Sequence, residues 1–318
     1  MSADQFMPND AVVATIRQDL DTYNKLRLDT AKSVRLGLWL FHGLFTLIAA
    51  LAALLVIGEA GLFTDATWFL VVFVLFGYLG AHWLALRPGK KLQQSFRDSL
   101  IPRIFSFLDE INYRHGAKPK SLEYLPRQAI GNYNRQSFDD CIYGRHEDMA
   151  FEAFEVEFSY KAGKGSARLV FRGVVLAFQL ARPFPARLIA RIRTPPAGGF
   201  TRFMQQLFGN GDLDEVLTGD PRVDGTYEFR SDNAVRTRHL VTPDFTHALD
   251  QLGRAWPEAP SRVAIAGESG FVLLPTMRNF FELPHIDEAC DYKRHIEPMV
   301  RDLAKLLDIA RLVRRAAD

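Results

Sequence analysis

Two histidines stand inside otherwise apolar runs: His42 in LGLWLFHGLFTLIAALAALLVI and His82 in ATWFLVVFVLFGYLGAHWLAL. An ionisable side chain in such surroundings is costly to keep there, so each is a functional candidate by default. Facing one another they could respond to protons or share a metal ion; the ordinary role of each is a bond to a headgroup or a backbone carbonyl. Two imidazoles alone fall short of a zinc ligand set. Paired carboxylates occur at Asp139-Asp140 and Glu147-Asp148, the second beside His146. Acid–base chemistry needs both members on one side, whereas neighbours along a strand point to opposite faces. His239 and His247 are dispersed, and the densest ligand-like cluster is His285, Asp287, Glu288 and His295. Cys141 and Cys290, the two cysteines, form no CxxC and show no zinc spacing, as expected of a reducing compartment. No nucleophile elbow, HExxH, Walker loop or dinucleotide fingerprint occurs. The expectation is no catalytic residue, no metal and no cofactor.

Recognition of an anion is the chemistry the charge pattern favours. Residues 158–211 carry nine Lys or Arg and no Asp or Glu, after which Asp212, Asp214, Glu215, Asp220 and Asp224 follow closely. Arg182, Arg187, Arg191, Arg193 and Arg202 lie in that stretch with Phe200, Phe203 and Phe208. The phenylalanines, with Met204 and Leu207, recur at i, i+3, i+4, i+7 and i+8, the spacing of a short one-sided helix. Covering a sheet is the ordinary use of such a helix; docking on a membrane or a partner is the functional one. The net charge of +2 gives no general attraction for nucleic acid, and none is expected as a partner.

These residues are positioned by two runs of about twenty residues, 36–57 and 66–86, without one charged side chain. At about 1.5 Å per residue each helix is roughly 31 to 33 Å long, enough for a hydrocarbon core of about 30 Å. Lys25, Arg27, Lys32 and Arg35 precede the first run and Arg87, Lys90, Lys91 and Arg97 follow the second, while the connection holds Glu59 and Asp65 and no base. That bias puts both termini in the cytoplasm. Residues 1–35 read as a cytoplasmic helix, with Val13, Ile16, Leu20, Tyr23 and Leu26 on one face. Residues 87–137 read as a helix broken from the span at Pro88-Gly89, then a basic linker; 87–135 hold ten bases against four acids, a belt suited to an anionic leaflet.

From 138 the period changes to that of strands. Val156, Phe158 and Tyr160 alternate with Glu155, Glu157 and Ser159, and KAGKGS turns into a Val-, Leu- and Phe-rich run over 167–180, a β-hairpin. Further strands are expected at 187–193, 226–230 and 234–241, and a second hairpin joins 262–266 to 271–276 through GESG. Thr242-Pro243-Asp244 caps a helix to about Ala255. A C-terminal helix from Pro298 has an apolar stripe of Met299, Leu303, Leu306, Ala310 and Val313, either packed on the sheet or lying on the membrane. The fold class is α+β: an N-terminal two-helix transmembrane hairpin, then an antiparallel-sheet domain over 138–318 with a few packed helices.

Several segments resemble a family of bacterial two-span membrane proteins that share domain of unknown function 3137. They are Phe171-Arg172-Gly173 before an apolar strand, Asp220-Pro221, Ser231-Asp232, the run from Arg238 through Thr242-Pro243 into a helix, and Asn279-Phe280-Phe281-Glu282. The resemblance implies the two-span architecture with a cytoplasmic domain, and no residue role. Taken together, the expected protein is an integral protein of the bacterial inner membrane. Its partners would be the lipid bilayer and, through 182–208, anionic lipid headgroups or a membrane protein. The alternative is an enzyme acting on a lipid or membrane-bound substrate near His146, Glu147 and Asp148.

Overall fold

The computed structural model describes residues 8–60, 65–163, 165–193, 213–257 and 260–317, without the side chains of 56–60 and 65–67. The chain forms two compact units.

One unit comprises Asp10–Arg103 and Leu283–His295. Helix α1 is Asp10–Ala60 and α2 is Asp65–Ile104, and both are long and apolar enough to cross a membrane. Trp39, Leu47, Leu54 and Phe69 are exposed along them, which is the surface a bilayer would cover. The helices fit closely where side chains are small: a Cβ on Gly77 would fall inside the Phe45 ring, and Gly37 faces Ala85. Contrary to expectation, α2 runs unbroken through Pro88 and Pro102. Proline removes a backbone donor, but a long helix tolerates this where packing holds its turns; here Gly89 lies against Val34 and Ile286. Beyond the apolar stretch, Tyr23 stacks on Phe96 at 3.8 Å and Arg103 pairs with Asp19, so the two helices continue side by side as a stalk. Leu283–His295 is fastened to it by polar bonds. Asn24 exchanges two hydrogen bonds of 2.9 Å with the backbone of Cys290, Arg27 donates to the Ile286 carbonyl at 2.7 Å, and Gln93 donates to that of Pro284.

The other unit is the sheet domain, residues 104–282 and 296–318. Its strands are β1 (Asp109–His115), β2 (Arg135–His146), β3 (Met149–Tyr160), β4 (Arg168–Ile192), β5 (Asp214–Glu215), β6 (Tyr227–Ser231) and β7 (Arg262–Pro275). All pairings are antiparallel, in the order β1-β2-β3-β4-β6-β5, with β7 on the other edge of β4. Val174 to Phe178 of β4 are all buried, as befits a strand covered on both faces. The short helices are α3 (Pro221–Thr226) and α4 (Ala234–Leu240); α5 (Pro243–Ala255) and α6 (Glu297–Ala317) pack on each other and on β4. Thr242 accepts from the Phe245 amide at the start of α5 as its sequence foretold. The α6 stripe of Met299, Leu303, Leu306, Ala310 and Val313 is buried, so this helix packs on the domain.

Four expectations need correction. The stretch read as a linker supplies β1, and Leu122, Leu125, Ala129 and Ile130 belong to the core. Residues 234–240 are α4 and not a strand, because Asn233 accepts from the Arg236 amide and Thr237 and Leu240 point inward at helical spacing. GESG makes no hairpin: β7 runs straight through it along β4. The segments 167–180 and 187–193 are correspondingly one strand. Between Gln179 opposite Ser269 and Arg187 opposite Ala266, β4 carries five more residues than β7, a bulge whose Leu180, Phe184 and Ala186 are buried.

Candidate functional site

The densest grouping of chemical side chains lies where β1, β2 and β3 run side by side. The β2–β3 register shifts between Phe138, opposite Val156, and Cys141, opposite Phe154. Two residues of β2, Asp139 and Asp140, therefore oppose one residue of β3, Glu155. Such a bulge breaks the alternation that would have sent the aspartates to opposite faces. On β1, His115 pairs with Asp140. Its Nδ1 lies 3.1 Å from Asp139 Oδ1 and 3.0 Å from Asp140 Oδ1. The Tyr113 hydroxyl donates to Asp140 Oδ1 at 2.5 Å and the Asn279 amide to Asp139 Oδ2 at 3.2 Å. His115, Asp139, Glu155, Arg172, Gly173 and Asn279 line a cleft of about 300 Å³.

Glu155 forms the inner wall and is 5% exposed. Its Oε1 accepts from the backbone amides of Phe280 and Phe281, while its Oε2 is buried without a hydrogen-bond partner. Burial raises its carboxyl to about 8; the two amides oppose that rise and the charges of Asp140 and Asp139 add to it. Gly173, at φ 155°, lets β4 approach β7 so closely that a Cβ there would sit 2.1 Å from the Leu274 carbonyl oxygen.

Sequence reasoning weighed Asp139-Asp140 and set the pair aside, and it overlooked His115 and Glu155. The available signal was indirect. Phe171-Arg172-Gly173 and Asn279-Phe280-Phe281, read as turn and packing motifs, both supply this cleft.

Of the arginines singled out for anions, Arg187 pairs with Asp232 at 2.8 Å and Arg191 with Glu228 at 2.5 Å. Arg193 pairs with Glu215 and also donates to the carbonyls of Asp224 and Tyr227. Glu228 takes Arg230 at 2.7 Å as well; burial would raise its carboxyl, but the two guanidiniums hold it below the ordinary range. The acids after the basic stretch thus fold back onto it. Arg182 is exposed on the β4 bulge. Phe200, Arg202, Phe203 and Phe208, and with them the expected short helix, lie outside the described residues.

The other groupings separate in the same way. His42 and His82 do face each other, rings stacked at 5.8 Å, and the nearby Thr46 and Tyr78 hydroxyls are 2.5 Å apart. Glu147 and Asp148, in the β2–β3 turn, pair with Arg311 and Arg314 of α6 at 3.2 and 2.8 Å, so these acids fasten a turn to a helix. His285 pairs with Asp287 and His295 approaches Glu288 at 3.5 Å, two separate contacts.

Fold and site together define an α+β domain with an acid–histidine cleft, in a chain that carries two membrane-length apolar helices. Residues 169–315 match the sequence model of the family described as "Protein of unknown function (DUF3137)", and the motifs that carried the resemblance lie inside that match. The two long helices and β1–β3 lie outside that match. No curated protein matches the chain. Among solved structures, it is similar to the crystal structure of the mycobacterial trehalose monomycolate transport factor A, TtfA, at 13% identity, over 63% of this chain and 88% of that one. The TM-score is 0.33, and at that value the likeness carries no argument.

Proposed function

We propose that this is an integral binding protein of the bacterial inner membrane, with both termini cytoplasmic, that gathers anionic lipid headgroups at the cytoplasmic ends of its two helices. The carrying observation is a basic collar where the apolar stretches end. Arg35, Arg87, Lys90 and Lys91 are all exposed, and the Arg87 guanidinium stacks over the Trp83 ring at 3.7 Å. An indole with a cation beside it suits the headgroup level, where one end is apolar and the other wet. Arg187, Arg191 and Arg193 are held in ion pairs, so the reading rests on this collar.

Each base near an anionic surface adds about 1 kcal/mol. Charge reversal at Arg87, Lys90 and Lys91 (R87E/K90E/K91E) therefore removes at least about 3 kcal/mol, or roughly two orders of magnitude in lipid preference. The full chain, reconstituted in mixed phosphatidylglycerol and phosphatidylcholine nanodiscs, should retain phosphatidylglycerol on detergent extraction, and the triple variant should lose it. Equal lipid ratios for the two proteins would refute the reading.

A further inference from the structure

We propose that His115, Asp139 and Asp140 form a binding site for one divalent transition-metal cation, Zn²⁺ or Mn²⁺, with Glu155 as the adjoining inner carboxyl group. The site stands independently of the lipid reading. Its first support is geometric. Two ligand atoms each about 2.1 Å from one ion are about 3.0 Å apart at a right angle and about 3.4 Å apart at the tetrahedral angle. His115 Nδ1 is 3.1 and 3.0 Å from the two aspartate Oδ1 atoms, and all three ligand atoms lie within 4.8 Å of one another. An ion can rest against this triangle with little side-chain movement.

The second support comes from a different strand. Glu155 lines the same cleft, is 95% buried, and keeps one carboxylate oxygen without a hydrogen-bond partner. A buried polar atom left in that state is costly unless something occupies the space before it. A cation there would be met by that oxygen and by two aspartates that the bulge has turned to one side.

The outer partners resemble those that orient ligands around bound metals. Asn279 holds the far oxygen of Asp139, and the Tyr113 hydroxyl donates to Asp140 Oδ1, the same oxygen that faces His115. Access is one-sided: the His115 and Asp139 side chains are 42% and 38% exposed and that of Asp140 is enclosed. One imidazole with two carboxylates suits Zn²⁺ and Mn²⁺; Mg²⁺, which prefers an all-oxygen shell, should bind more weakly.

The test uses the untagged full chain in detergent, stripped with EDTA and titrated calorimetrically with Zn²⁺ and with Mn²⁺. One ion per chain is expected, with a rise in melting temperature at saturation. H115Q and D139N should each weaken binding about 100-fold or more, and H285Q, in the other His–acid cluster, should leave it unchanged. Undiminished binding in H115Q, loss in H285Q, or no ion taken up by the wild-type chain would overturn the site. Should both ligand variants fail to fold, X-ray absorption on the zinc-loaded wild-type chain decides. A shell of one imidazole and oxygens is expected, and sulfur or a second imidazole refutes it.

Discussion

Replacing Glu155 by Gln should remove a loss of stability that the wild-type chain suffers as pH rises. The Glu155 carboxyl sits at about 8 in the fold against an ordinary 4.5, a rise of 3.5, driven first by burial. Between those two values the unfolded chain has already released the proton that the folded chain still holds. Stability contributed by this group is therefore greatest below about pH 4.5 and is lost as pH climbs towards 8. At about 1.36 kcal/mol per unit the full loss is about 5 kcal/mol, little screened because the residue is 5% exposed. Glutamine keeps the shape and the carbonyl that accepts from Phe280 and Phe281, and it has no proton to lose. About 3.5 kcal/mol of that falls between pH 5 and 8, so thermal melting of the chelator-treated full chain over this range should show the wild type falling by about 7–14 °C relative to E155Q, taking about 2–4 °C per kcal/mol. The variant should be the more stable of the two at pH 8. Parallel melting curves across that range would refute the reasoning, since they would mean that Glu155 ionises in the fold as readily as in water.

Gly173→Ala should destabilise the sheet domain by about 3 kcal/mol or more, because its Cβ would meet the Leu274 carbonyl oxygen at 2.1 Å in a conformation disfavoured for side chains. Denaturant titration of the full chain checks it, and a loss under about 1 kcal/mol, the level of an ordinary substitution, would show that β7 yields. The proposed orientation predicts that, in intact cells, an impermeant maleimide labels a cysteine at Glu59 (E59C) and spares one at Ser166 (S166C). The native Cys141 and Cys290 should stay silent, being buried with thiols pushed up to about 12, and the opposite labelling pattern would invert the topology.

The parts of the fold written in local chemistry were legible. Apolar length gave the two helices, Thr242 with Pro243 gave the start of α5, and the stripe from Met299 to Val313 gave α6. What failed depended on partners distant in sequence. The strand β1 shows little alternation because only Ile111 and Tyr113 are even partly covered, so a linker was the natural reading. The segment 234–240 alternates like a strand, yet Asn233 turns it into a helix. The cleft was hidden for a related reason. Asp139-Asp140 becomes a pair only because β3 offers one residue opposite two, and that fact resides in the register. His115 and Glu155 have no sequence neighbours that mark them. The ion pairs of Arg187, Arg191 and Arg193 were hidden in the same way, since their acid partners lie some twenty to forty-five residues downstream.

The excursion of Leu283–His295 gives the protein an order of construction. A ribosome completes both long helices by residue 104, yet the donors Asn24, Arg27 and Gln93 find their carbonyls only when residues 284–290 emerge. At about 5–20 residues per second, some 180 residues of synthesis separate the two by about ten to forty seconds. During that interval the stalk would stand with its polar seam open to the surrounding solvent. A chain interrupted before 283 would keep both long helices and never close that seam, so damage to the last tenth of the sequence would be felt beside the first helix.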